Sequence, residues 1–179
     1  MTEEKKIYLQ HSFRWGSIIG FVSFIYYLVC FYTKFEKNTM IFNNIYFFLS
    51  MGLLIAMFTA YRRQMGETKV KYGRYVLMGL VASVVTSFFT TLFLWVRMKF
   101  LDPFHFSQVL IIIQESMKDY KFIDTNTLAS NPNFIPMMKV SYLFSNFIMS
   151  IVSNLLYILI IAWAMTMNTR FYNRNNQQK

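Results

Sequence analysis

Four side chains between positions 102 and 119 are the first candidates for chemistry in this sequence. Asp102 and His105 stand three residues apart, and Glu115 and Asp119 stand four residues apart. On a helix each pair would share one face, and carboxylates with an imidazole could bind a metal ion or exchange protons. The two pairs are separated by about two and a half turns, roughly 15 Å along one helix, which is too far for one ion. We therefore expect a solvated polar face, with no metal and no cofactor.

The rest of the sequence contains no second pattern of this kind. Cys30 is the single cysteine and lies within an apolar run, so neither a disulfide framework nor a cysteine metal site is expected. No glycine-rich phosphate loop and no nucleophile paired with a base is recognisable in the sequence. We therefore expect the protein not to be an enzyme.

The segment 103–120, which carries most of the candidate groups, has the pattern of an amphipathic helix. Asp102 is a suitable N-cap and Pro103 suits the first helical position. Apolar residues then recur at spacings of three and four, with the polar groups on the opposite face. The apolar residues are Phe106, Val109, Leu110, Ile113, Met117 and Tyr120. This pattern predicts a helix that lies flat in the membrane interface or caps a helical bundle.

The composition identifies the elements that would position these groups. With 55% hydrophobic and only 15% charged residues, the chain is too apolar for an ordinary soluble domain. Four apolar runs, 15–32, 40–61, 75–96 and 140–167, are each about long enough to cross a bilayer. We predict one all-α transmembrane domain over 1–179, with a polar tail at 168–179. Its fold is a four-helix bundle with an amphipathic helix between spans 3 and 4.

The basic residues predict how these spans are oriented. The net charge of +10 could suggest nucleic acid, but the basic residues form short blocks beside the apolar runs, so we expect no nucleic-acid partner. The densest block runs from Arg62 to Arg74, between the second and third spans. Basic loops stay in the cytoplasm, so both termini should be cytoplasmic and the amphipathic helix should lie on the outer side.

Small and polar residues recur at helical spacing inside the spans. Small residues allow helix backbones to approach closely, which favours a packing role. The packing candidates are Gly16, Gly20, Gly52, Ala56, Gly79, Ser83 and Ser87. A second interpretation is a polar cleft for a lipid head group. Its candidates are Asn43, Asn44, Asn146, Ser150 and Asn154. The predicted spans contain no Asp, Glu, Lys, Arg or His, which disfavours an ion-coupled transporter.

Several features occur in a characteristic order along the chain. A basic loop contains Gly66 and Gly73, the third span opens near Gly79, and the step Leu101-Asp102-Pro103-Phe104 directly follows that span. Over nearly its whole length the chain resembles the bacterial membrane-protein family called domain of unknown function 4199. The resemblance implies a plasma-membrane protein of Gram-negative bacteria, often encoded near a membrane glycosyltransferase. It supplies no catalytic residues.

These observations favour one functional class and leave an alternative. The favoured class is a small inner-membrane protein that acts as a non-enzymatic accessory or scaffold for a membrane enzyme. A glycosyltransferase or another enzyme of envelope or lipid-linked glycan synthesis is the expected partner, together with membrane lipids. The alternative is a lipid translocase or small transporter that acts as a homo-oligomer. That alternative requires a polar path through the bundle, for which the asparagine and serine residues are the candidates.

Overall fold

The fold consists of helices throughout the part of the chain that the computed structural model describes, residues 3–35, 38–65, 70–117 and 134–176. Side chains are described within 6–35, 38–65, 70–111 and 135–167. The helices are α1 (Glu3–Tyr32), α2 (Thr39–Met65), α3 (Tyr72–Val96), α4 (His105–Met117) and α5 (Phe134–Asn176). A π-helical turn, Arg97–Leu101, continues α3 before α4 begins.

Four helical segments are long and apolar enough to cross a membrane: Lys6–Tyr32, Thr39–Met65, Tyr72–Leu101 and Ile135–Met167. Each contains one of the predicted runs and extends beyond it. Large apolar side chains such as Phe21, Phe48 and Phe144 are exposed on the outside of the bundle, where a bilayer would cover them. The predicted fold class, an all-α protein with four spans, is confirmed, and the chain is a multi-pass membrane protein.

Helix α3 lies at the centre of the packing, in contact with both α1 and α5. Helix α2 packs on α1 and makes fewer contacts with α5. The helices alternate in direction, so α1 ends, α2 begins and α3 ends at the same end of the bundle, next to α4. We call this part the α4 half, and the part that holds the beginning of α1 and the end of the α5 span the terminal half.

Three glycines allow α3 to approach its neighbours. A Cβ atom on Gly16 would lie 2.9 Å from both the Cα and the carbonyl oxygen of Ala82 in α3. A Cβ on Gly20 would lie 2.5 Å from the ring of Phe89. A Cβ on Gly79 would lie 2.5 Å from the Ile158 side chain in α5. Contacts this short leave no room for a side chain, so these glycines set the distances from α3 to α1 and to α5.

The other packing candidates behave differently. Gly52 is exposed, and nothing lies within 4 Å of the position a Cβ would take. The packing prediction is therefore wrong for Gly52, because position 52 lies on the face of α2 that points away from the other described helices. Ala56 is half-buried, whereas Ser83 and Ser87 are buried. Ser87 donates a hydrogen bond of 3.0 Å to the Ser150 hydroxyl, which joins α3 to α5 near the middle of both spans.

Large side chains fill the interior of the terminal half. Phe58 and Tyr75 are fully buried and their ring centroids lie 5.0 Å apart, which joins α2 to α3. Met57 and Met78 are fully buried beside them. His11 Nε2 donates a hydrogen bond of 3.1 Å to the Met57 carbonyl and so ties α1 to α2. This half of the bundle is therefore closely packed.

Candidate functional site

The α4 half, in contrast, contains a cleft of about 890 Å³ between α2 and α5. The two helices form its walls, the end of α3 forms its back, and single residues of α1 and α4 complete it. Its volume is typical of small-ligand sites in proteins. The polar lining consists of Tyr27, Thr39, Asn43, Tyr46, Ser50, Thr90, Thr91, Arg97, His105, Tyr142, Asn146, Ser150, Ser153, Asn154 and Tyr157.

The cleft opens here because each of its two walls is attached to a different helix. Helix α2 is held on α1, where the Tyr26 hydroxyl donates a hydrogen bond of 2.8 Å to the Phe42 carbonyl. The rings of Tyr27 and Tyr46 add a contact with 5.1 Å between centroids. Helix α5 is held on α3 instead, through the hydrogen bond from Ser87 to Ser150. Since neither attachment joins α2 to α5, the two walls stand apart at this end.

An aromatic contact marks the inner end of the cleft. The ring of Phe47 in α2 meets the ring of Tyr157 in α5 edge to face, with 5.1 Å between centroids. Beyond this contact the buried side chains of the terminal half begin. The cleft therefore reaches from the α4 end to about the middle of the bundle and no further.

The structure brings together four of the five residues predicted to form a polar cleft. Asn43 lies on the α2 wall, and Asn146, Ser150 and Asn154 lie on the α5 wall. Asn44 is exposed and does not line the cleft, so the prediction is wrong for this residue. Phe42 and Asn43 line the cleft at this turn of α2, and Asn44, about 100° further around the helix, lies outside the lining.

Arg97 is the functional candidate that sequence reasoning missed. The predicted third span ended at Val96, but the helical segment continues to Leu101, so Arg97 lies inside it and lines the cleft. The predicted span itself, 75–96, contains no Asp, Glu, Lys, Arg or His, and Arg97 is the first residue beyond it. A sequence signal did exist, because Arg97 follows Thr90 by seven residues, which is two helical turns along the same face.

The π-helical turn fixes the position of Arg97. The Asp102 backbone N–H donates a hydrogen bond of 2.7 Å to the Arg97 carbonyl, five residues earlier. Such turns are rare and are frequent at functional sites. The guanidinium carbon lies 5.3 Å from the centroid of the Phe31 ring, and Nη2 lies 3.7 Å from Oδ2 of Asp102. One aromatic ring and one carboxylate thus hold the guanidinium at the end of the cleft next to α4, which we call its outer end.

The amphipathic helix α4 begins later than predicted. It begins at His105, after a turn that contains Pro103, so Pro103 does not occupy the first helical position. The proposed N-cap, Asp102, lies three residues before the helix, and its carboxylate is directed towards Arg97 and the His105 ring. His105 was expected on a solvated face but lines the cleft.

Phe106 anchors α4 to the bundle. Its side chain is buried, and its ring centroid lies 6.1 Å from the ring centroid of Tyr142 in α5. Lys139 Nζ, also in α5, lies 5.5 Å from the centroid of the Phe106 ring. Leu110 is half-buried and Ile111 is exposed. The side chain of Ile113, a further residue of the predicted apolar arc, lies outside the described part of the structure. Helix α4 therefore contacts the bundle through the first part of its predicted apolar arc.

The candidate metal ligands are only partly within the described structure. Oδ2 of Asp102 and Nδ1 of His105 lie 4.0 Å apart, whereas Asp119 and the side chain of Glu115 fall outside the described residues. Within the described ranges, no three His, Cys, Asp or Glu side chains gather where they could hold an ion. The chemistry visible in the cleft is recognition: hydroxyl and amide groups that can donate and accept hydrogen bonds, with one guanidinium at the outer end.

The comparisons with known proteins bear on the family alone. Neither the comparison with curated proteins nor that with solved structures gave a match. A family profile described as Protein of unknown function (DUF4199) matches residues 14–166. This range begins in α1, ends in α5 and includes every residue that lines the cleft. The resemblance inferred from the sequence is thereby confirmed, and the chain belongs to the DUF4199 family.

Proposed function

We propose that this protein is a non-enzymatic membrane accessory that holds the polar head of a membrane amphiphile in the cleft between α2 and α5. Its expected client is a membrane enzyme of envelope or lipid-linked glycan synthesis. The observation that carries the proposal is the cleft itself, a polar cavity within the span region of an otherwise apolar bundle. Lining polar side chains such as Asn43 and Ser153 are exposed rather than buried in protein. At membrane depth a hydroxylated head group would supply hydrogen bonds that lipid chains cannot.

The place of the cleft suits an amphiphile. It lies between two helices that are neighbours around the bundle, so the apolar chains of a bound lipid could remain in the bilayer while its head enters between α2 and α5. Aromatic rings of Phe42, Phe47 and Phe93 share the lining with the polar groups. Such a mixed surface suits a molecule with both apolar and polar parts.

The alternative function, lipid translocation by an oligomer, requires a polar route through the terminal half as well. There Met57, Phe58, Tyr61, Tyr75 and Met78 are almost completely buried and leave the interior apolar and filled. A cleft that reaches only the middle of the bundle favours holding a ligand over passing it across the membrane.

We expect that filling the cleft will release a bound lipid. Ser153 lines the cleft, so Ser153→Trp should place an indole where the head group would lie. The adjacent Val152 is exposed and does not line the cleft, so Val152→Trp is the matched control. The readout is phosphatidylglycerol retained by the purified protein in non-ionic detergent, measured by native mass spectrometry. Wild type and Val152→Trp should retain the lipid, and Ser153→Trp should lose most of it.

Two further results test where the lipid binds and whether the protein acts as an accessory to an enzyme. Equal retention by all three proteins would show that the lipid binds elsewhere and would refute the proposal. Under the accessory role, any membrane enzyme that co-purifies with wild type in mild detergent should be lost from Ser153→Trp and kept by Val152→Trp.

The proposed location is the inner membrane of a bacterium, with both termini in the cytoplasm. The support is the density of basic residues from Arg62 to Arg74 in the sequence; the helices on either side, α2 and α3, end and begin in the terminal half of the bundle. Single cysteines at Asn38 and Lys71, both exposed, can test this in a Cys30→Ser background. In intact spheroplasts a membrane-impermeant maleimide should label Asn38→Cys and should label Lys71→Cys only after permeabilisation. The reverse pattern would invert the topology, and equal labelling would contradict the four-span arrangement.

A further inference from the structure

The electrostatics of the cleft are set by very few side chains. Among the residues that line it in the described structure, Arg97 carries a permanent charge and His105 can acquire one, whereas the remaining polar groups are hydroxyls and amides. The nearest described carboxylate, Asp102, is not part of the lining. A ligand in the cleft therefore meets a guanidinium, paired on one side with Asp102, at the end next to α4, and uncharged polar groups further in.

The depth of Arg97 suits the phosphate of a lipid. Its Cα lies four residues before Leu101, where the third span ends, or about 6 Å along the helix axis. A bilayer has a hydrocarbon core of about 30 Å, and its head-group regions extend the total to about 40–45 Å. Arg97 thus begins near the boundary between core and head groups, and its long side chain reaches the level at which lipid phosphates lie.

The chemistry of the guanidinium points to the same class of ligand. Its planar fork of N–H donors matches the oxygens of a phosphate group. The side chain is only 18% exposed and is oriented by the Phe31 ring and the Asp102 carboxylate. A cation held in place in a partly buried site binds an anion more strongly than a mobile surface lysine does, because less ordering is needed and water screens the charge less.

We infer that the cleft selects amphiphiles whose head group carries a phosphate, and that Arg97 binds this phosphate while Asn146, Ser150 and Asn154 bind uncharged polar groups of the ligand. This inference rests on the proposed function, since it assumes that an amphiphile occupies the cleft. It adds the class of the ligand and the residue that distinguishes it from an uncharged glycolipid.

A competition between two lipids tests the inference. Phosphatidylglycerol and galactosyl diacylglycerol with identical acyl chains both offer hydroxyl groups, but only the first has a phosphate. The purified protein in non-ionic detergent is given an equimolar mixture, and native mass spectrometry compares the amounts retained. Wild type should retain about tenfold more phosphatidylglycerol, as expected for one charge-assisted interaction.

The variants separate the role of Arg97 from a general effect of charge. Arg97→Gln should retain the two lipids equally, and Arg97→Lys should keep part of the preference because it keeps the charge without the fork. Lys99→Gln is the matched control. Its Nζ lies 5.0 Å from the Trp95 ring and Lys99 does not line the cleft, so the preference should remain. The thermal unfolding midpoint of each variant is measured in parallel, and if Arg97→Gln does not fold, Arg97→Lys still reports on the preference.

The outcomes separate failure of this inference from failure of the proposed function. Equal retention of both lipids by wild type, with release of both by Ser153→Trp, would overturn the inference and leave the proposed function standing. No release of either lipid by Ser153→Trp would overturn both. Loss of the preference in Lys99→Gln as well would assign it to net charge and overturn the role of Arg97. Displacement of phosphatidylglycerol by millimolar inorganic phosphate would show that the site takes free phosphate, against the inference.

Discussion

Replacement of Gly16 with Leu is expected to lower the thermal unfolding midpoint of the protein in detergent. A Cβ at this position would lie 2.9 Å from two backbone atoms of Ala82, which cannot rotate aside as a side chain could. The Thr86 hydroxyl also donates a hydrogen bond of 3.2 Å to the Gly16 carbonyl. A leucine side chain that pushes α1 away from α3 would break this bond. Overfilling of this kind should cost about 3 kcal/mol.

Gly52→Leu is the matched control for this prediction. It introduces the same side chain into a helix of similar composition, at a position with nothing within 4 Å of the new Cβ. We expect its unfolding midpoint to stay close to that of wild type. Similar losses for both variants would mean that leucine disturbs the helices or their surroundings in general. The close contact between α1 and α3 would then lose its assigned importance.

Replacement of Phe106 with Ala is expected to detach α4 from the bundle. The Phe106 side chain is 2% exposed and is the deepest described contact of this helix. Removal of a buried phenyl ring typically costs about 3–5 kcal/mol, and here the loss falls on a short helix with few other described contacts. Limited proteolysis in detergent should therefore cleave the segment around α4 much faster in Phe106→Ala than in wild type. Because His105 would leave the cleft with it, lipid retention should also fall.

The neighbouring Phe104 provides the control. It is 74% exposed, so Phe104→Ala removes the same ring without removing a packed contact. Its proteolysis and lipid retention should resemble those of wild type. If both variants were cleaved at the wild-type rate, α4 would be held by contacts other than Phe106, and the anchoring role assigned to Phe106 would be refuted.

The spans could be predicted from the sequence because a helix that crosses the bilayer requires a long apolar run. Each crossing helix needs about 20 apolar residues, and that demand is visible in composition alone. The spacing of Asn146, Ser150 and Asn154, four residues apart, likewise placed these three on one face of a helix, and they share the α5 wall of the cleft. Properties that depend on one helix were therefore accessible without the structure.

Properties that depend on contacts between two helices could not be predicted from the sequence. The glycines at 16, 52 and 79 look equivalent in sequence, yet only the first and last face another helix. Hydropathy cannot distinguish a face that meets lipid from one that meets a neighbour, because both are apolar. Arg97 was missed for a different reason. A charged residue after an apolar run was read as the end of a span, whereas the π-helical turn carries the helix past it.

The restriction of the cleft to the α4 half has a mechanical consequence. A bundle that is filled in one half and hollow in the other occupies unequal areas in the two leaflets of a membrane. Any movement of α2 towards α5 would withdraw area from one leaflet only, while the contact of α1 with α3 keeps the rest of the cross-section unchanged. Closure of the cleft by such a movement would therefore depend on how tightly lipids are packed in that leaflet, and higher lateral pressure there would favour it.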